Sequence, residues 1–262
     1  MRVLVLGAGK MVEAILEGLK NETDLSQFSI YSPSGESAKR LAEKIGCHFL
    51  SSLEEVTEVD WIWLGHKPQQ LPAVAEKIRG KFQNAIFVSM LAALSEEDQM
   101  RLLGAQKLIR IMPNLPIKYK KGVTLLSSLS ANQELKIIES LFSLVGVAQI
   151  VSEKDLEELT ILTGSGPALF YEFTKLMSLS FESLSEFQRE SLSRMVLLGA
   201  GISAFEDEKD LSQMIGEVTS KGGVTIAVLN EWRHLKLNEL VKNGIFAGQK
   251  RAAEMKSLIL DK

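Results

Sequence analysis

Short aliphatic runs alternate with longer segments of helical periodicity from Met1 to about Ser152. The runs that predict strands are Arg2–Leu6, Phe28–Tyr31, Trp61–Leu64, Ala85–Ser89, Lys107–Ile111 and Val123–Leu126. Between the first two runs, Met11, Ile15 and Leu19 recur at the spacing of one helix face. This alternation predicts a mostly parallel sheet with helices on both faces.

The chain changes character after about Ser152. Residues 153–262 contain almost no strand-like run, and apolar residues such as Met195, Leu198 and Ile202 keep a helical spacing. We therefore predict an α/β protein with a second, all-helical domain over residues 153–262. The apolar content of that half is high for a small bundle exposed to water all round, so we expect a partner subunit to cover part of it.

Composition excludes several classes of protein. The 30 Lys and Arg residues against 33 Asp and Glu residues give no general attraction to nucleic acid or to an anionic membrane, so neither is an expected partner. The apolar runs are too short for a membrane span, and the N-terminus does not resemble a signal peptide. A single cysteine, Cys47, fits a reducing compartment, and three scattered histidines indicate no metal site. We expect a cytoplasmic protein.

A glycine-rich turn, Gly7-Ala8-Gly9, directly follows the first predicted strand and opens the first predicted helix. At this point of a parallel α/β sheet, backbone N–H groups and a helix N-terminus can approach a pyrophosphate. The third small residue of the dinucleotide fingerprint is replaced by Val12. We favour dinucleotide binding, and hence a Rossmann-type domain over residues 1–152, above a simple tight turn. Lys10 either contacts a phosphate or points into solvent.

The second strand ends in Tyr31-Ser32-Pro33-Ser34, without the carboxylate that NAD-binding proteins use for the ribose hydroxyls. Hydroxyls of Ser32 and Ser34, with Lys39 and Arg40 nearby, suit a 2′-phosphate better, which favours NADP. The alternative is that Ser-Pro-Ser forms a helix-capping turn, and both can hold together.

Further clusters follow later strands and interrupt the helical half. They are His66-Lys67-Pro68-Gln69, Arg110-Ile111-Met112-Pro113-Asn114-Leu115-Pro116, Thr163-Gly164-Ser165-Gly166-Pro167 and Val218-Thr219-Ser220-Lys221-Gly222-Gly223-Val224-Thr225. The first two suit cofactor and substrate orientation, or simply end strands. The last two suit carboxylate binding at helix N-termini, or are interhelical turns.

Five ordered motifs together resemble the signature of the Δ1-pyrroline-5-carboxylate reductase family. They are Gly7-x-Gly9-x-Met11, Lys67-Pro68-Gln69, Met112-Pro113-Asn114 with Pro116, Gly164-Ser165-Gly166-Pro167-Ala168, and Val218-Thr219-Ser220 with Gly222, Gly223 and Thr225. The resemblance implies a Rossmann domain that binds NADPH, with NADH as the alternative, and a helical domain that forms a homodimer, often assembled into a decamer. It implies reduction of the C=N bond of pyrroline-5-carboxylate to L-proline, the last step of proline biosynthesis.

The resemblance also implies roles for individual residues. The residues that it assigns to the cofactor are Gly7, Ala8, Gly9, Lys10, Met11, Ser32, Ser34, Lys67 and Pro68. Those that it assigns to the substrate are Asn114, Ser220, Gly222, Gly223, Val224 and Thr225. Among them Thr225 would be the catalytic group, with its hydroxyl closest to the ring nitrogen. A basic cyclic imine needs positioning more than a strong general acid.

Several residues depart from the family pattern, namely Lys10, Val12, Leu115, Lys221 and Val224. They motivate two alternatives: a reductase of another cyclic imino acid, and a non-catalytic NADP-binding paralogue. A β-hydroxyacid dehydrogenase is disfavoured, because Lys175 has no nearby Asn following it in its predicted helix.

Overall fold

The computed structural model describes residues 2–260, which divide into two compact units. The first unit consists of the described parts of Met1–Pro167 and Gln249–Lys262, and the second is Ala168–Gly248. The domain boundary predicted after residue 152 remains a prediction. The helix Glu153–Thr160, which follows that position, belongs to the first compact unit. Residues 1, 261 and 262, which the predicted domains include, lie outside the described residues.

The first unit is built around one eight-stranded sheet with the order β3-β2-β1-β4-β5-β6-β7-β8. Its strands are β1 Val3–Leu6, β2 Phe28–Tyr31, β3 His48–Phe49, β4 Trp61–Leu64, β5 Ile86–Ser89, β6 Lys107–Met112, β7 Gly122–Ser127 and β8 Gly146–Ile150. Strands β1 to β6 pair in parallel, β7 runs antiparallel to β6, and β8 is parallel to β7. The predicted mostly parallel sheet is confirmed.

Helices connect the strands, and after β8 the described chain is helical. Those of the α/β part are α1 Lys10–Leu19, α2 Glu36–Ile45, α3 Leu71–Ile78, α4 Glu96–Leu103 and α5 Asn132–Ser143, with 3-10 turns at Leu25–Gln27, Leu53–Glu55, Pro68–Gln70 and Leu115–Tyr119. They are followed by α6 Glu153–Thr160, a π-helical segment Ile161–Ser165, α7 Gly166–Leu179, α8 Glu186–Glu206, α9 Leu211–Glu217, α10 Val224–His234 and α11 Leu237–Leu260. The predicted helical half is confirmed over its described residues.

Six strands match their predictions to within one residue at each end, and two strands were not predicted. Strand β3 has only two residues. Strand β8, Gly-Val-Ala-Gln-Ile, lies at the sheet edge and mixes residues of weak and strong strand preference. Neither segment carries the aliphatic run that identifies a buried parallel strand.

Apolar side chains cover both faces of the sheet. On one face, α1 buries Ile15 and Leu19, while the ring of Trp63 lies 5.3 Å from Phe28 and 5.9 Å from Phe142, measured between ring centroids. The opposite face packs against α3, α4 and the end of α11, where Ile259 is 4% exposed. This arrangement fixes the carboxyl ends of β1 and β4 side by side, since Leu6 pairs with Leu64.

The second unit buries much less of its apolar surface. None of the 21 residues of α8 is buried, and large apolar side chains along it are exposed, including Met195, Leu198 and Ile202. Over the described residues, the structure contains no helix with the length and apolar character needed to cross a membrane.

Candidate active site

The turn after β1 passes directly against the end of β4. Gly7 has a φ of +115°, and its N–H donates to the carbonyl of Tyr31 at 2.8 Å. A Cβ on Gly7 would lie 2.8 Å from the carbonyl carbon and oxygen of Gly65. Both the backbone conformation and the close approach therefore require glycine at this position.

Gly9 is explained differently. Its φ of −79° suits any residue, and a Cβ there would meet only the Gly65 carbonyl oxygen, at 3.8 Å. Neither the backbone nor the packing of the protein demands a glycine, so the space in front of Gly9 is left for something outside the chain. Gly9 caps α1 without a side-chain hydrogen bond, which leaves first-turn N–H groups free for an anion. This exposed cradle fits a dinucleotide pyrophosphate.

Lys10 is the first residue of α1 and is exposed. A cation at the positive end of a helix is unfavourable by itself, and a bound phosphate would reverse that cost. Ala8 lies in the turn and Met11 in the first turn of α1, and both are partly buried against the core. These residues all fit the predicted phosphate-binding loop.

The unexpected Val12 is accommodated by a glycine that the sequence analysis did not single out. Val12 is 1% exposed, and a Cβ on Gly65 would lie 2.1 Å from its Cγ2 atom. Close packing of helix and strand is the role usually given to a third small residue in the fingerprint. Here the small residue lies on β4's end instead of on α1. The departure at position 12 is therefore compensated within the fold.

Three serine hydroxyls gather where β2 ends. Ser34 Oγ lies 3.4 Å from Ser32 Oγ and 3.2 Å from Ser37 Oγ, and Ser37 Oγ donates to Ser32 Oγ at 3.4 Å. The cap of α2 is Gly35, so no serine hydroxyl caps the helix, although the Gly35 N–H donates to the Ser32 carbonyl at 2.9 Å and Ser-Pro-Ser forms a turn that leads into α2. The sequence did not predict that Ser37 joins this cluster, because its hydroxyl reaches Ser32 and Ser34 only through the turn between β2 and α2. Lys39 and Arg40 are exposed on the same helix.

The cluster after β4 forms a short 3-10 turn. Lys67 precedes it and is exposed, its N–H donates to Gln70 Oε1 at 3.0 Å, and Pro68 occupies the first position of the turn. His66 Nδ1 lies 3.0 Å from the Lys67 carbonyl, which can only accept, so Nδ1 carries the proton. Burial lowers the pKa of His66 and keeps its imidazole neutral at pH 7. Lys67 rather than His66 is thus the charged side chain of this cluster.

Asn114 follows β6 and is 5% exposed. Its Oδ1 accepts from the N–H of Val123 at 2.9 Å, and its Nδ2 donates to the carbonyl of Thr163 at 2.8 Å. Both polar ends of the side chain are therefore engaged inside the first unit.

The glycine cluster at Gly164 is not a fresh helix start. The chain stays helical from α6 into α7 through the π-helical segment Ile161–Ser165. The prediction of a helix N-terminus or an interhelical turn at Thr163-Gly164-Ser165-Gly166-Pro167 is wrong. A π turn accommodates Pro167, which lacks the N–H of a regular α-helix, without ending the helix.

The second glycine cluster does open a helix. Gly223 caps α10 with no side-chain hydrogen bond, its N–H donates to the Ser220 carbonyl at 3.0 Å, and Val224 and Thr225 are the first two helical residues. A Cβ on Gly223 would lie 2.3 Å from Ser220 Oγ, so glycine leaves room for that hydroxyl over the helix start. The N–H groups of the first turn lack intrahelical acceptors, which suits a carboxylate. Gly222, Val224 and Thr225 are exposed, and so is Lys221.

The two groups of predicted residues lie in different units. The loop at Gly7, the serines, Lys67, Pro68 and Asn114 belong to the first unit, and Ser220 to Thr225 belong to the second. Within the described part of the chain, no three His, Cys, Asp or Glu side chains are grouped so that they could hold a metal ion.

Two family models match separate parts of the chain. The model described as pyrroline-5-carboxylate reductase dimerisation matches residues 153–255. A second model, described as NADP oxidoreductase coenzyme F420-dependent, matches residues 2–93.

Individual relatives match nearly the whole chain. A pyrroline-5-carboxylate reductase of Staphylococcus epidermidis is 31% identical, over 97% of this chain and 98% of the relative. Solved structures of pyrroline-5-carboxylate reductases from Coxiella burnetii and Streptococcus pyogenes are each 27% identical with a TM-score of 0.86. They cover 97% of this chain, and 97% and 98% of the respective relatives. Because the similarity runs over both units, the chain belongs to the pyrroline-5-carboxylate reductase family.

Proposed function

We propose that this protein reduces the C=N bond of Δ1-pyrroline-5-carboxylate to L-proline with NADPH, which is the last step of proline biosynthesis. The observation that carries the proposal is the 31% identity to a pyrroline-5-carboxylate reductase over 97% of the chain. The geometry of the two predicted sites supports it, because one suits a dinucleotide and the other a small carboxylate.

The first unit would hold the cofactor. Gly7 and Gly9 shape the turn, Lys10 and the first-turn N–H groups of α1 would bind the pyrophosphate, and Lys67 would reach the ribose or phosphates. The hydroxyls of Ser32, Ser34 and Ser37 would bind the 2′-phosphate, which favours NADPH over NADH. When bound, NADPH supplies the hydride.

The second unit would hold the substrate. The backbone N–H groups of Val224 and Thr225 and the Ser220 hydroxyl would bind its carboxylate, in the space that Gly222 and Gly223 leave open. The Thr225 hydroxyl would hydrogen-bond the ring nitrogen and orient the C=N bond. Such a site works by positioning a basic imine that already carries its proton, so it needs no strong general acid.

The exposed apolar surface of the second unit supports a homodimer, in agreement with the dimerisation model that matches residues 153–255. Assembly of dimers into a decamer, and a cytoplasmic location, rest on the family resemblance and on the single cysteine. Light scattering of the purified protein measures the assembly directly.

The test is NADPH oxidation by the purified protein with pyrroline-5-carboxylate, beside NADH and a panel of cyclic imino acids. We expect oxidation that is fastest with NADPH and pyrroline-5-carboxylate. Faster turnover of a cyclic imino acid that carries an additional carboxylate would instead assign Lys221 to the substrate site. It would support the alternative, a reductase of another cyclic imino acid. NADPH binding without turnover of any imine would contradict the proposal and favour the non-catalytic paralogue.

A further inference from the structure

The π-helical segment Ile161–Ser165 precedes a proline that breaks the regular helical bonding. In an α-helix, residue 167 would donate its N–H to the carbonyl four residues earlier, which is that of Thr163. Pro167 has no N–H, and its ring would press on that carbonyl in a regular turn. The wider π turn relieves the crowding, and the Thr163 carbonyl is left without its α-helical donor.

Asn114 supplies a donor to that carbonyl from outside the helix. Its Nδ2 lies 2.8 Å from the Thr163 oxygen, and its Oδ1 accepts from the Val123 N–H at 2.9 Å. The orientation of the amide is unambiguous, because a backbone N–H can only donate and a carbonyl can only accept. The side chain is 5% exposed, so water does not readily replace either bond.

The preceding helix, α6, is fixed to β6 itself, a few residues before Asn114. Arg110 on β6 is 1% exposed, and its Nη1 lies 2.9 Å from Glu153 Oε1 and 3.3 Å from Glu157 Oε1, both on α6. Leu156, between them, is fully buried. Arg110 and Asn114 thus hold the start of α6 and the π-helical segment to β6 and the residues that follow it.

We propose that Asn114 is a positioning residue that donates to the Thr163 carbonyl, to which Pro167 cannot donate, and so fixes the π-helical segment through which the chain passes into the second unit. This inference rests on the proposed function for its effect on turnover. It assigns Asn114 no contact with the substrate: its side chain acts through Gly164 and Ser165, which are exposed on the segment that it holds.

The first experiment uses Asn114→Asp, which keeps the shape and the acceptor for Val123. At pH 7 the carboxylate faces the Thr163 oxygen and cannot donate, so we expect amide hydrogen exchange of residues 161–168 to rise at least tenfold. Burial raises the pKa of such a carboxyl, and once protonated it can donate. The folded protein then binds more protons than the unfolded chain, so exchange should slow again as the pH falls toward 5, after correction for the intrinsic pH dependence of exchange. Asn84→Asp, on an exposed loop, is the control and should show neither effect.

The second experiment is a double-mutant cycle with Pro167→Ala, which restores an N–H at residue 167. We expect Asn114→Ala to lower kcat about 30-fold and to accelerate exchange of residues 161–168 tenfold, with the Kd for NADPH unchanged. In the Pro167→Ala background the same change should alter kcat and exchange by less than threefold, since Thr163 regains a donor. Equal effects in both backgrounds would overturn the proposal.

The two readouts separate the competing roles. A direct contact between Asn114 and the substrate predicts that Asn114→Ala raises KM or lowers kcat in both backgrounds while exchange of residues 161–168 stays unchanged. If the unaltered protein reduces no imine, the proposed function fails, and the exchange measurements still decide whether Asn114 holds the π-helical segment.

Discussion

The two compact units differ in how much of their apolar surface they bury. Helix α1 of the first unit buries six of its 10 residues, whereas α8 of the second unit buries none of its 21. Both helices carry aliphatic side chains at helical spacing, so the periodicity of a sequence does not reveal whether its own chain covers them. The first unit forms a hydrophobic core from its own residues. The second unit leaves apolar side chains exposed to water, which is energetically unfavourable.

This difference links the stability of the second unit to association. A surface that becomes buried only in a dimer makes folding and assembly a single equilibrium, which depends on protein concentration. The first unit should bind NADPH with an affinity set by its own loop. Paired variants of the two units test this division.

The largest effect is expected from Ile202→Glu on α8. Ile202 is 53% exposed, and a carboxylate buried there in a dimer would cost several kcal/mol per subunit, about 3 kcal/mol or more. We expect a monomeric protein by light scattering with activity lowered at least 100-fold. Ile137→Glu on α5 is the matched control: Ile137 is 51% exposed but lies in the first unit, and the dimer and its activity should persist. A dimer that survives Ile202→Glu would contradict the comparison.

Next in size is Thr225→Ala, which removes the hydroxyl at the start of α10. Loss of a positioning contact to the ring nitrogen should lower kcat about 100-fold and leave the Kd for NADPH unchanged, because the cofactor residues lie in the other unit. Thr219→Ala is the control, since the Thr219 hydroxyl donates to the Ile215 carbonyl at 2.6 Å. An unchanged kcat for Thr225→Ala would remove this residue from the mechanism.

Gly9→Ala should have a smaller effect that falls on the cofactor. The backbone of Gly9 accepts alanine and the protein leaves room for it, so the melting temperature should hold or rise slightly. The added methyl group would crowd the pyrophosphate and raise the Kd for NADPH roughly 30-fold, which corresponds to about 2 kcal/mol.

Gly7→Ala gives the contrasting result within the same loop. It strains a backbone with a φ of +115° and crowds Gly65, so it should lower the melting temperature as well as the affinity. If Gly7→Ala left the melting temperature as high as Gly9→Ala does, the turn would tolerate both changes and our explanation of Gly7 would be wrong.

The smallest effect is expected from Ser37→Ala. Removing one of three hydroxyls near the end of β2 should weaken NADPH binding about fivefold, the equivalent of roughly 1 kcal/mol for one hydrogen bond. Binding of NADH, which lacks the 2′-phosphate, should not change. A similar loss for both cofactors would place the serine cluster away from the 2′-phosphate.

Much of the fold follows from the sequence because its signals are local. Buried parallel strands read as aliphatic runs, and Gly7 with Gly9 marks the first turn whatever the rest of the chain does. The apolar positions of α2, Ala38, Leu41, Ala42 and Ile45, are buried as their spacing indicates.

The features that sequence analysis missed depend on contacts between distant residues. Gly65 matters because Val12 packs against it, and Ser37 matters because the turn at Gly35 brings it to Ser32. The π-helical segment was predicted as a helix N-terminus or an interhelical turn, since glycine and proline together usually end a helix. Its continuation is stabilised by Asn114, 49 residues from Thr163, and no local pattern reports such a bond.

The end of α11 has a consequence for how the protein is made. Ile259 is buried in the core of the first unit, and Lys256 Nζ lies 3.6 Å from Asp98 Oδ2 on α4. A nascent chain emerges from the ribosome N-terminus first. The sheet and most of its helices are therefore synthesised early, yet the part of one face that Ile259 covers stays open until the entire second unit has been translated. The earliest part of the protein to appear is the last to be finished.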